Sequence, residues 1–276
     1  MIEKIYIARH GFRLNWISST WQSPTGLARD PPLTAYGETQ AQELAQYFLS
    51  CPDDERPTVI FSSPYYRCLQ TSQPLAKALG IPIYVEHGIA EWYSPVTPGT
   101  GLHPRPGSTE SLRSFFPEVD PSWQTIYYPT RKGETVEEVH DRTDTFASAF
   151  VDALAQRLPG DKQKRILLVT HAATVIALAR TFIGDREVPM KAGCCSLTEL
   201  ERRKGENGQH RILGAFRPIM LVSGQHLKGG SSREWGFEDI EVEKGRVVDD
   251  PGVPGSENEK DEPVGLQISH ATVSNL

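Results

Sequence analysis

The chain has 276 residues, 38% of them hydrophobic and 23% charged, with a formal net charge of −6 at pH 7. That size and balance fit one large α/β domain or two small ones with a substantial core. They exclude a membrane-spanning chain, since no apolar run approaches roughly 18 residues, and a global basic field for nucleic acid or anionic lipid.

The N-terminus lacks the basic and apolar regions of a signal peptide, and no cleaved leader is expected. Cys51, Cys68, Cys194 and Cys195 show no CxxC spacing, and an adjacent pair is a poor disulfide and a poor zinc clip. Reduced thiols in the cytoplasm or nucleus are the expectation.

Ile5-Tyr6-Ile7-Ala8 is a short apolar run that stops on Arg9-His10-Gly11. It reads as a buried parallel strand. Ligands in open α/β sheets bind beyond the carboxyl ends of strands, so Arg9 and His10 face such a crevice, and Gly11 leaves room for a bound group. A polar loop follows to about Asp30. Thr34 then caps a helix with Ala41, Leu44, Ala45, Phe48 and Leu49 on one face.

Thr58 to Phe61 is a second buried strand, running into Ser62-Ser63-Pro64. Ser63 is the expected cap and Pro64 the first residue of the next helix, which carries Arg67 on its first turn. Pro74 should kink or divide that helix, and Gly80 close it. Ile81 to Val85 contains Pro82 and reads as an edge strand.

Residues 88–132 show no sustained period and are rich in Pro, Gly, Ser and aromatics. An ordered insertion over the carboxyl edge of the sheet is expected. Thr135 to Glu138 is a capping-box signature before a long amphipathic helix. Arg165 to Thr170 is a third strong strand and ends on His171, followed by a helix apolar nearly all round to Gly184.

Ser196 to Glu201 and the region around Ile212 to Phe216 alternate and read as antiparallel strands, with Gly205 to Gly208 between them. From about residue 244 the composition is polar and acidic, and a disordered tail is expected over 244–276. The order of elements gives an α/β fold with a mainly parallel sheet, one domain over 1–243.

Three strands therefore end in Arg9-His10, in Ser62-Ser63 with Arg67 just beyond, and in Thr170-His171. Two imidazoles and two guanidiniums at one sheet edge suit a dianion. An imidazole there can attack phosphorus, and helix N-termini after Pro64 and His171 add positive potential. No metal-ligand cluster is visible in the sequence.

The chain resembles the histidine phosphatase (phosphoglycerate-mutase-like) superfamily. The matching motifs are Ala8-Arg9-His10-Gly11, Pro32-Leu33-Thr34 with Gly37 and Gln40-Ala41, Ser62 to Thr71, Gly133-Glu134-Thr135, and Val169-Thr170-His171-Ala172. The resemblance implies a three-layer α/β/α sandwich and a phosphomonoesterase needing no metal or cofactor. By it His10 is the nucleophile, Arg9, Arg67 and His171 form the phosphate pocket, and Glu91 is the proton donor. Glu86 and Glu110 stand as alternatives for that last role. A carboxyl beside the aromatics of the insertion is expected to have a raised pKa.

Phe12-Arg13 stands where many members carry Glu after the glycine. Arg13 resembles the phosphotyrosine-directed branch (the suppressor of T-cell receptor signalling phosphatases), which implies a further phosphate ligand. Trp92 and Tyr93, next to the acid, are expected substrate contacts. Phe115, Phe116 and Trp123 read as packing, and His87, His103, His140, His210, His226 and His270 as ordinary histidines.

Tyr6 to Arg13, Tyr66 to Leu69, Glu91-Trp92-Tyr93, Thr170 to Ala173, Cys195 to Leu197 and the region Leu227 to Phe237 are similar to the phosphatase-like domain of the fungal transcription factor IIIC 55-kDa subunit. The implied partners are a phosphorylated substrate, with transcription factor IIIC subunits or a second copy of the chain as candidates. No basic DNA-binding element is present, and neither direct nucleic-acid nor membrane contact is expected.

Overall fold

A computed structural model describes residues 1–158, 160–204, 212–240, 242–243, 246–247 and 250–267. In chain order its main elements are β1 (Lys4–Arg9), α1 (Ala35–Ser50), β2 (Val59–Ser62), α2 (Tyr66–Leu79), β3 (Ile83–Val85) and α3 (Thr109–Arg113). There follow β4 (Tyr127–Tyr128), α4 (Val136–Arg157), β5 (Arg165–Thr170), α5 (Ala172–Ile183), β6 (Leu197–Arg202) and β7 (Phe216–Ser223).

Six strands form one sheet in the order β3-β2-β5-β1-β6-β7. β1, β5, β2 and β3 pair in parallel, and β6 runs antiparallel to both its neighbours. Successive side chains of a strand point to opposite faces, and both faces here are apolar. Ile5, Ile7, Ile166 and Leu168 meet Phe146, Phe150, Val175 and Phe182 of α4 and α5. Tyr6, Ala8, Leu167 and Val169 meet Leu44, Phe48, Leu69 and Leu75 of α1 and α2. Burial on both sides explains why these strands read as continuous apolar runs. The result is the three-layer sandwich that the sequence predicts.

Caps fix the helix starts that matter for the site. Thr34 Oγ1 accepts from Gly37 N at 3.0 Å, and Thr135 and Glu138 form a reciprocal capping box. Gly37 lies against β1's extension: a Cβ there would stand 2.2 Å from the Phe12 carbonyl oxygen. No side chain is tolerated at that approach.

Several expectations need correction. α2 starts at Tyr66, and its first amide is taken by the Asp30 carboxylate (3.0 and 3.1 Å), while Ser63 turns to His171. Pro74 does not divide α2, which runs through it. The last strand of the sheet is Phe216–Ser223, beyond the predicted 212–216, and the Gly205 to Gly208 link lies outside the described residues.

The expected disordered tail does not hold for residues 250–267. Asp250 pairs with Arg29 at 2.9 Å, Ser256 is buried against Leu102, and Asp261 accepts from Thr130 Oγ1 and Arg131 N. Gly265–Leu266 pairs with β4. The acidic residues that suggested a solvated end are partners for basic groups of 29–131. Residues 268–276 lie outside the described residues.

Candidate active site

β2, β5 and β1 are adjacent, so their carboxyl ends deliver the chemistry to one place. The register sets Arg9 beside Thr170 and Ser62 beside Val169. His10 N then donates to Thr170 O at 2.9 Å, and Ser63 N to Val169 O at 2.9 Å. The His10 and His171 rings lie 5.4 Å apart.

His10 is 1% exposed, and its Nδ1 is 2.7 Å from the Gly11 carbonyl oxygen. A carbonyl can only accept, so Nδ1 carries the proton and Nε2 keeps its lone pair. Burial, reinforced by Arg67 and Arg9, holds the imidazole well below its ordinary pKa. It is neutral at pH 7, with the Nε2 lone pair unprotonated.

The guanidiniums are held by the main chain and by carboxylates. Arg9 donates to Ala192 O at 2.7 Å and Arg233 O at 2.5 Å. Arg67 has no exposed surface and bridges Asp30 (3.1 Å) and Glu91 (3.0 Å). Arg13 lies over the Trp16 ring at 4.5 Å, and burial lowers its pKa to about 10, leaving it cationic. The Nε of Arg9, Arg13 and Arg67 is buried in each case without a hydrogen-bond partner among the described residues. Unanswered cationic donors of this kind suit an anion.

His171 is fully buried, with Nε2 2.8 Å from Ser63 Oγ and Nδ1 3.2 Å from Glu91 Oε2. Burial lowers its pKa to about 4, against the opposing pull of Glu91. Burial pushes the Glu91 carboxyl up, but His171, Arg67 and Arg13 outweigh it and hold the group well below the carboxylate range. This corrects the expected raised pKa: the aromatics are present, yet the hydrogen bond from His171 and the two guanidiniums decide.

A cavity of about 260 Å³ opens onto these groups. Arg9, His10, Arg13, Glu91, Trp92 and Tyr93 line it, with Ala172 and Ala173 from the first turn of α5 and Trp235. The start of α5 adds positive potential there. Every site residue named from sequence is therefore in one neighbourhood. Arg67 and His171, however, stand behind the wall, reaching the cavity through Glu91.

The alternatives for the acid are placed elsewhere. Glu86 is buried and accepts from Trp123 Nε1, Gly88 N and Ile126 N, an anchor for the insertion. Glu110 is exposed on α3. Trp92 packs on Trp235 and Phe237, and Tyr93 stacks on His103 at 4.5 Å. Asp30, the partner of Arg67, was not apparent from sequence. Its one signal is a lone acid just before Pro31-Pro32. His210 and His270 lie outside the described residues.

His10, Glu91 and His171 place ligand atoms within 4.8 Å of one another, a group able to hold a metal ion that no local sequence spacing reveals. Arg9, Arg13 and Arg67 surround it, and their summed charge disfavours a cation and favours an anion.

The histidine phosphatase superfamily (branch 1) model matches residues 5–213. The chain belongs to the histidine phosphatase superfamily. It is 40% identical over 213 residues to the transcription factor tau 55 kDa subunit of Saccharomyces cerevisiae, covering 73% of this chain and 48% of that protein. It is 26% identical over 240 residues to the ecdysteroid-phosphate phosphatase of Drosophila melanogaster, covering 73% of this chain and 31% of that protein. The chain thus spans about half or less of the length of these relatives.

Among solved structures, the ecdysone phosphate phosphatase of Bombyx mori in complex with tungstate superposes with a TM-score of 0.59 at 17% identity, covering 80% of this chain and 93% of that one. A mycobacterial glucosyl-3-phosphoglycerate phosphatase gives 0.51 at 18%, covering 80% and 98%. At such identities these likenesses establish the fold of this histidine phosphatase superfamily member.

The two buried imidazoles of this superfamily member set a pH dependence of stability. Each binds a proton more readily in the unfolded chain, near pH 6.5, than in the fold. Their contribution is fully present above about pH 6.5 and is lost as pH falls towards 4, His171 alone withdrawing about 3 kcal/mol. Glu91, depressed in the fold, continues the loss below its ordinary value of 4.5. His87, its pKa lowered to about 3 by burial, adds to this loss, and Glu86, raised to about 7, opposes it. The fall in Tm from pH 6.5 to 4 is therefore expected to be smaller in His171→Asn than in wild type, and equal falls in the two would contradict a buried neutral His171.

Proposed function

We propose that this superfamily member is a metal-independent phosphomonoesterase that works through a phosphohistidine on His10, acting on phosphoprotein or aryl phosphate substrates. The supporting observation is that His10, its Nδ1 engaged by Gly11 and its Nε2 without a hydrogen-bond partner among the described residues, lines a cavity with Arg9 and Arg13.

In this reading a phosphate dianion enters between Arg9 and Arg13 and draws on the Arg67 charge that now holds Glu91 ionised. Binding itself then moves Glu91 towards protonation. His10 Nε2 attacks phosphorus, the bond to the ester oxygen breaks, and that oxygen takes the proton of Glu91. Water next attacks phosphorus, its proton passes to the Glu91 carboxylate, and the P–N bond breaks to release phosphate and neutral His10. The guanidiniums and the α5 amides stabilise the charge on the equatorial oxygens throughout. Trp92 and Tyr93 bound the side where an aryl leaving group would lie.

Hydrolysis of p-nitrophenyl phosphate by chelator-treated protein, inhibited by tungstate, is the expected result. No turnover on a broad panel of phosphate esters would contradict it.

A second reading is favoured by the 40% identity to a transcription factor subunit. Here the chain works in the nucleus as an interaction subunit, with transcription factor partners or a second copy of itself, and turnover is incidental. Affinity purification from cells, recovering other subunits of that factor, supports this reading. Recovery of none counts against it.

A further inference from the structure

The Gly133-Glu134-Thr135 triplet belongs to the matching motifs, yet none of its residues lines the cavity. Its contacts lead instead to the tripeptide Glu91-Trp92-Tyr93. Gly133 has φ +83°, and a Cβ there would stand 2.1 Å from Ser94 O, so only glycine lets the two segments lie this close. Glu134 N donates to Tyr93 O at 2.8 Å, and Glu134 O accepts from Trp92 Nε1 at 2.8 Å.

The Glu134 carboxylate forms a buried ion pair with Arg142 Nε at 2.9 Å. Arg142 in turn donates to the carbonyls of Gly88 (2.9 Å) and Ala90 (3.4 Å). Thr174 Oγ1 adds a bond to Ala90 O at 2.9 Å, and Thr170 Oγ1 one to Ile89 O at 2.5 Å. Glu134 and Arg142 are 6% and 2% exposed. A buried ion pair repays little of its desolvation as stability, so stability does not account for this one. What it does is grip the backbone on both sides of Glu91, a residue that has no helix or strand of its own to hold it.

We propose that Glu134 and Arg142 are positioning residues for Glu91, fixing its carboxyl where the leaving-group oxygen departs. The inference rests on the reading of Glu91 as proton donor. A displacement of about 1 Å at such a group can cost on the order of 100-fold in rate. In the first step, which kcat/KM reads, the loss falls on leaving groups that need a proton and spares those that do not.

The test measures kcat/KM, which reports transfer to His10 and not the shared hydrolysis step, on p-nitrophenyl phosphate, whose leaving group departs without a proton, and on phenyl phosphate, whose leaving group needs one. The variants are Arg142→Lys, which keeps a charge for Glu134 but loses the fork, and Glu91→Gln. In Arg142→Lys the phenyl to p-nitrophenyl ratio of kcat/KM is expected to fall about 10- to 100-fold, in the same sense as Glu91→Gln. An unchanged ratio in Arg142→Lys, with a fall in Glu91→Gln, overturns the inference alone. An unchanged ratio in Glu91→Gln overturns the proton-donor reading and the inference with it.

If Arg142→Lys does not fold, Glu134→Gln and Glu134→Asp carry the test. The glutamine variant, which removes the charge that holds Arg142, is expected to lower the ratio and the aspartate variant, which keeps a carboxylate, to restore part of it. Equal ratios in Glu134→Gln and wild type overturn the inference.

Discussion

Replacing His10 with alanine is expected to lower turnover of p-nitrophenyl phosphate by about 10⁴-fold or more, the scale on which removing a covalent nucleophile acts. The structure discriminates between the two imidazoles for this role. His171 has both ring nitrogens engaged, by Ser63 and by Glu91, and stands behind the cavity wall. His10 has one nitrogen tied to Gly11 and the other without a partner among the described residues, and lines the cavity. The fold should survive the change, because the imidazole is buried in its neutral form and leaves no charge unpaired. A folded His10→Ala protein with turnover within tenfold of wild type would remove His10 from the mechanism.

The second large effect is expected at Arg67. Arg67→Met fills the space but leaves Asp30, fully buried, and Glu91 without their shared cation. Breaking such a pair costs about 3–5 kcal/mol, and withdrawing its positive charge from behind the pocket is expected to lower kcat about 10²- to 10³-fold. Burial already raises the Asp30 pKa against the pull of Arg67. Without Arg67 it rises further above the unfolded value, so the variant gains stability relative to wild type as pH falls and loses it as pH rises through that folded pKa. The gap in Tm between the two proteins should be widest at neutral pH and narrow towards pH 5. Equal Tm values at pH 7 would show that the bridge carries no such weight.

Much of this site was legible because it grows from strand ends. Arg9-His10 and Thr170-His171 terminate apolar runs, and parallel strands deliver their carboxyl ends to one edge. Glu91 had no such mark. It lies in a segment without period, and only the resemblance pointed to it. Asp30 was illegible because its role depends on an approach by α2 from 36 residues further on. Local chemistry suits Ser63 to a cap, and the long-range contact with His171 wins. Composition likewise misread residues 250–267. Asp261 finds the Arg131 amide 130 residues earlier in the chain, and no local window sees such a partner. The pKa of Glu91 failed for a related reason: the apolar neighbours are close in sequence, whereas His171, Arg67 and Arg13 arrive from three other elements.

Rapid quenching of the protein during turnover of p-nitrophenyl phosphate, followed by mass spectrometry under alkaline conditions, tests the central claim most directly. The result predicted is an acid-labile, base-stable phosphoryl group on the peptide that holds His10, absent from His10→Ala. Steady hydrolysis with no phosphorylated histidine, or with the phosphoryl group on another residue, would contradict it.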